Sequence, residues 1–223
     1  FYEDNFKNYN TFPKIPSGKY GSYSPRHFSY VFFGSAFLYD AKELKLPNDA
    51  TESCYYNIFY GCTSLKTAPE LPATTLSEGC YKSMFDNCTS LVQAPELPAT
   101  TLAQACYERM FYNCTSLTQA PELPATTLAV GCYSNMFSNC SSLIQAPELP
   151  ATTLQFNCYL NMFRGCLELN YVKAMFITNQ RLDTYLQQWL KNVSPTGTFV
   201  KNKDATWGNT DAGIPSGWTV QTV

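Results

Sequence analysis

"CTSLVQAPELPATTLAQACYERMF", Cys88 to Phe111, decides how the chain is read. Its phrase APELPATTL recurs letter for letter from Ala68, Ala94, Ala120 and Ala146. Ten cysteines fall into two columns around it, Cys54, Cys80, Cys106, Cys132, Cys158 and Cys62, Cys88, Cys114, Cys140, Cys166, each with a spacing of 26. A fixed period between about 20 and 50 residues indicates stacked supersecondary units that share one continuous core.

Each unit reads as one helix and one short strand. Leu76, Cys80 and Met84 recur every four residues, and Tyr81 and Phe85 form a second row, which together make the apolar arc of a three-turn helix. Thr75 with Glu78, and Thr101 with Gln104, fit a capping box, which Val130 and Phe156 drop in later copies. Gly61, Asn87, Asn113, Asn139 and Gly165 precede the second cysteine, as a left-handed position after a helix requires. Leu91 to Ala94 then read as a strand that pairs in parallel with its neighbours until Pro95, which has no N–H to donate. The proline breaks the alternation, so the face taken by Glu96 is left open. Strands ~4.8 Å apart and helices ~8–10 Å apart would bend the stack, with strands on the concave side.

Composition narrows the function classes. A formal charge of −2 over 223 residues offers no basic footprint for nucleic acid, and 45% hydrophobic content suits a packed core. No stretch approaches the ~18 apolar residues of a membrane span, since Gly34 and Ser35 break the run from Tyr30 to Tyr39. The opening at Phe1 shows neither an initiator Met nor a leader, and is read as a mature or trimmed fragment.

The stretch "CYKSMFDNCTSLVQAPELPATTL", Cys80 to Leu102, resembles the BspA-like leucine-rich repeat of Bacteroidetes surface proteins. Its "MF..C.SL" core carries the likeness from about Tyr30 to Tyr171, with a few extra residues in "PELPATTL". The ending from Gly197 to Val223 is similar to C-terminal segments of such proteins. The resemblance implies a right-handed leucine-rich-repeat solenoid of about six units, with a parallel β ladder on the concave face and short helices on the convex one. It also implies export to the cell surface and an adhesive or host-interaction role.

The expected organisation is an N-terminal cap or upstream remnant over 1–29, the solenoid over 30–170, and a C-terminal cap over 171–223. In the first, degenerate unit, Ala36 stands where a second cysteine is expected, and Cys166 closes the last true unit. Beyond it Leu182, Tyr185, Leu186, Trp189 and Leu190 have amphipathic helix spacing, and Phe199–Lys201 and Trp218–Val223 read as strands. Trp189, Trp207 and Trp218 are placed to cover the last unit.

The cysteines, with Met84, Met110, Met136 and Met162, are read as core. Helix geometry puts Cys80 and Cys88 roughly 12 Å apart, and column neighbours a helix spacing apart, both beyond the ~7 Å a disulfide tolerates. Reduced, buried thiols are expected. No Cys-x-x-Cys occurs and His27 is the single histidine, so no metal or cofactor is expected. The sequons at Asn87, Asn113, Asn139 and Asn192 include three already explained by backbone conformation. No catalytic arrangement clusters, which leaves a paired-carboxylate carbohydrate-active enzyme as the weakest reading.

The expected partner is a host or bacterial surface protein or glycan, met by a monomer outside the cytoplasm. The alternative is a spacer that holds another domain away from the cell. Lys66, Val92, Thr118 and Ile144 vary on a constant frame, as do Asp86, Tyr112, Ser138 and Arg164. Val92, Thr118 and Ile144 are therefore the candidate contact surface, with Glu70, Glu96, Glu122 and Glu148 as a further candidate or a solvated edge. The first column contains no aromatic or Arg anchor, which predicts modest affinity.

Overall fold

The computed structural model describes residues 28–48, 50–177, 182–207 and 213–223. The expected helix of each repeat is replaced by a ribbon of β-turns. Positive φ recurs every fourth residue, as at Gly79 (57°), Ser83 (53°) and Asn87 (62°), then Ala105 (52°), Arg109 (57°) and Asn113 (58°). An α-helix holds every φ near −63°, so it cannot contain such a series. Alternate amides close turns within the unit: Lys82 N–H reaches Gly79 O at 3.1 Å and Met84 N–H reaches Tyr81 O at 3.2 Å. The amides between them cross to the next unit, Tyr81 to Cys106 O at 3.0 Å and Phe85 to Met110 O at 2.9 Å. A turn whose third residue has positive φ is of type II and favours Gly or Asn there. The rows Leu76–Cys80–Met84 and Tyr81–Phe85 suit this ribbon as well as a helix, because its own period is four residues. The helix expected in every repeat is therefore corrected.

The crossing bonds set the spacing of this wall. Phe59, Phe85, Phe111, Phe137 and Phe163 stack with ring centroids 5.3, 5.5, 5.5 and 5.7 Å apart. Tyr55, Tyr81, Tyr107, Tyr133 and Tyr159 stack at 5.4, 5.8, 5.8 and 6.0 Å. These are favourable stacking distances for buried rings. The turn wall thus advances by a step much closer to that of a β ladder, ~4.8 Å, than helices at ~8–10 Å would allow, so the mismatch from which curvature was expected is much reduced.

The opposite wall is a narrow parallel ladder. Single-residue bridges join Asp40, Thr67, Gln93, Gln119, Gln145 and Tyr171 in sequence. The proline two residues after each bridge (Pro69, Pro95, Pro121, Pro147) stops it from widening. Where "NYVKAMF" replaces the proline phrase, β1 (Tyr171–Ala174) forms. It pairs in parallel with β2 (Gly197–Lys201), and β2 with β3 (Trp218–Thr222).

The ends depart from the 26-residue step. Phe28 stacks on Tyr55 and Phe32 on Phe59, and Asp40 bridges Thr67, all at a spacing of 27. Ser35, not Ala36, therefore occupies the position of Cys62. Most of the segment expected as an N-terminal cap, including His27, lies outside the described residues. At the other end α1 (Leu182–Leu186) opens one more ribbon turn, with positive φ at Gln188 and Asn192. The last cysteine-bearing unit donates to it, Tyr159 to Tyr185 O, Asn161 to Gln187 O, Phe163 to Trp189 O and Gly165 to Lys191 O, at 2.8–3.1 Å. Cys166 is thus not the end of the ribbon. Trp189 is fully buried against Tyr159, Phe163, Phe176 and Phe199, and its indole N–H donates to Gly213 O at 2.9 Å. Gly197 passes so close to Trp218 that a Cβ would lie 2.8 Å from the indole.

Candidate binding surface

The narrow ladder lines up one outward residue from each unit. Lys66 N–H donates to Tyr39 O at 2.9 Å, Thr118 to Val92 O at 3.4 Å, and Asn170 to Ile144 O at 3.0 Å. Together with the bridges at the next residue of each unit, these bonds place Tyr39, Lys66, Val92, Thr118, Ile144 and Asn170 in one exposed column. Tyr39 is 59% exposed, Val92 50% and Ile144 51%. Leu38 packs towards the core, and Phe37, in the turn just before it, is 76% exposed. The 27-residue offset of the first unit hides Tyr39 from a strict 26-residue alignment. The column therefore contains an exposed aromatic residue of the kind that sequence reading found missing.

Glu70, Glu96, Glu122 and Glu148 are all exposed. Lys45 pairs with Glu70 at 3.2 Å and Lys173 with Glu148 at 3.0 Å, at the two ends of the row. No ion pair reaches Glu96 or Glu122 among the described residues. No group of three or more metal-ligating side chains among the described residues could hold an ion.

On the turn wall the second variable column is not uniformly outward. Asp86 is fully buried, accepts from Arg109 Nε at 3.0 Å and Nη2 at 2.9 Å, and takes the Asn87 amide at 2.7 Å. The Arg109 guanidinium lies 3.8 Å over the Tyr112 ring. Burial pushes the Asp86 carboxyl up to about 6, against the pull of Arg109. Asn87, Asn113 and Asn139 hold left-handed φ of 62°, 58° and 63°, as turn residues and not as helix caps. Their side chains are engaged, Asn113 donating to Asn87 at 2.6 Å and Asn139 to Tyr112 at 3.2 Å. Gly165 ends this row where a Cβ would collide with Asn139 Oδ1.

All ten cysteines are buried, and Met84, Met110, Met136 and Met162 are fully buried among them. In the second column each thiol donates to a phenylalanine carbonyl of the preceding unit: Cys62 to Phe32, Cys88 to Phe59, Cys114 to Phe85, Cys140 to Phe111 and Cys166 to Phe137, at 3.0–3.1 Å. Burial pushes Cys54 up to about 11 and Cys62, Cys106 and Cys158 to about 12. The thiolates needed for nucleophilic attack or metal binding are therefore suppressed. The helix distances used to separate the cysteines no longer apply. Column neighbours are one ladder step apart, within the Cα range of a disulfide, but parallel in-register side chains keep Cβ atoms ~5 Å apart where a disulfide needs about 3.8 Å.

The BspA type leucine-rich repeat region matches the chain in six copies, over residues 29–143 and 55–188. No curated protein is similar enough to be matched. Among solved structures, a leucine-rich repeat protein from Bacteroides ovatus ATCC 8483 is similar at 21% identity with a TM-score of 0.46. The likeness covers 78% of this chain and 39% of that one, so the chain spans well under half of that protein's length. No helix among the described residues is long and apolar enough to cross a membrane.

Proposed function

Because the chain belongs to the BspA-type leucine-rich repeat family, we propose that it is a non-catalytic extracytoplasmic protein that binds a host or bacterial surface protein or glycan. The coil is taken as right-handed, following the general preference of parallel crossovers, and the binding unit as a monomer. One observation carries the binding reading: the exposed column from Tyr39 through Lys66, Val92 and Thr118 to Ile144. An exposed aromatic is the kind of side chain that dominates protein interfaces, and here a polar frame surrounds it. Glu96 and Glu122 form a polar rim free of intramolecular ion pairs among the described residues.

The spacer reading retains one supporting observation. Both walls are tied unit to unit by backbone hydrogen bonds, which suits a stiff rod. Tyr39→Ala, Val92→Asp, Thr118→Asp and Ile144→Asp together separate the two readings. Exposed substitutions each change stability by about 0.5 kcal/mol or less, so folding should survive. Binding on host-protein and glycan arrays should fall at least tenfold. If binding persists, and removing repeats only shortens reach, the spacer is the function.

A further inference from the structure

We draw no further inference here: the strongest candidate, the carboxylate row on the ladder wall in which Glu96 and Glu122 lie between the Lys45–Glu70 and Lys173–Glu148 ion pairs, belongs to the surface already described, and nothing in the structure shows what covers it.

Discussion

Ala105 is the position at which ribbon and helix make opposite predictions. In a helix over the third cysteine-bearing unit it would be an interior alanine, and Ala105→Gly would lower stability by about 1 kcal/mol. In the ribbon it sits at φ 52°, where a Cβ costs roughly 1–2 kcal/mol. Glycine removes that strain but gives the unfolded chain more freedom, which offsets about 0.4–1 kcal/mol. The expected outcome is a gain of about 1 kcal/mol, or a rise in Tm of about 2–4 °C for a chain of this size. Gly79 and Gly131 occupy the same column, so the fold already accepts glycine there. The reverse change, Gly131→Ala, isolates the backbone effect, because a Cβ at Gly131 would meet nothing within 4 Å. It should cost about 1 kcal/mol in the ribbon, whereas a helix would gain about as much. Calorimetric Tm values of the two variants against the parent decide the matter. A fall for Ala105→Gly together with a rise for Gly131→Ala would refute the ribbon.

Three further outcomes follow from the packing. Alkylation under denaturing, non-reducing conditions should modify ten thiols while the native chain reacts slowly, because burial raises the cysteine pKa values; recovery of disulfide-linked peptides would contradict the column geometry. Asp86, raised to about 6 by burial, keeps in the folded chain a proton that the unfolded chain releases near pH 4. That stability is fully present below about pH 4 and lost as pH rises through about 6. Arg109→Met removes the partner of the charged form, so it should lower Tm more at pH 8 than at pH 5; equal losses would show that Arg109 acts by packing alone. Deleting Thr198 to Val223 removes most of β2 and all of β3, and uncovers Trp189 by taking away Phe199 and the Gly213 carbonyl. The product should aggregate in light scattering, and a soluble truncation with the parent Tm would make the segment dispensable.

The period, the two cysteine columns, the buried methionine and aromatic rows and the family were all legible in the sequence. The conformation of the outer wall was not, for a specific reason. Apolar rows at a spacing of four fit a helix face and a ribbon of four-residue turns equally well. What distinguishes them is the set of positive-φ columns, of which only Gly61, Asn87, Asn113, Asn139 and Gly165 stood out. A second column, Asn57, Ser83, Arg109, Asn135 and Asn161, carries the same demand. Arg109 masks it, since its side chain is chosen for Asp86 and Tyr112 and not for its backbone. The last ribbon turn was hidden because Tyr185, Trp189 and Val193 stand where cysteine, methionine and cysteine are expected. Tyr39 was missed because one extra residue separates the first unit from the second.

The ribbon bears on function through the step it imposes. Had helices formed the outer wall, their wider spacing would have bent the ladder around a convex partner. With backbone hydrogen bonds on both walls the two walls advance by steps much closer to each other, and Tyr39, Lys66, Val92, Thr118 and Ile144 follow one another at ~4.8 Å. Four steps span about 19 Å, a line one residue wide, flanked by exposed threonine and glutamine at Thr67, Gln93, Gln119 and Gln145. Such a line can touch an extended chain along its whole length, whereas a globular surface would meet only part of it. The frame beneath is held by main-chain bonds, stacked rings and thiol donors that do not involve the outward side chains. Substitution along the column should therefore cost little in folding, and Tyr39, Lys66, Val92, Thr118 and Ile144 differ where the residues beneath them repeat.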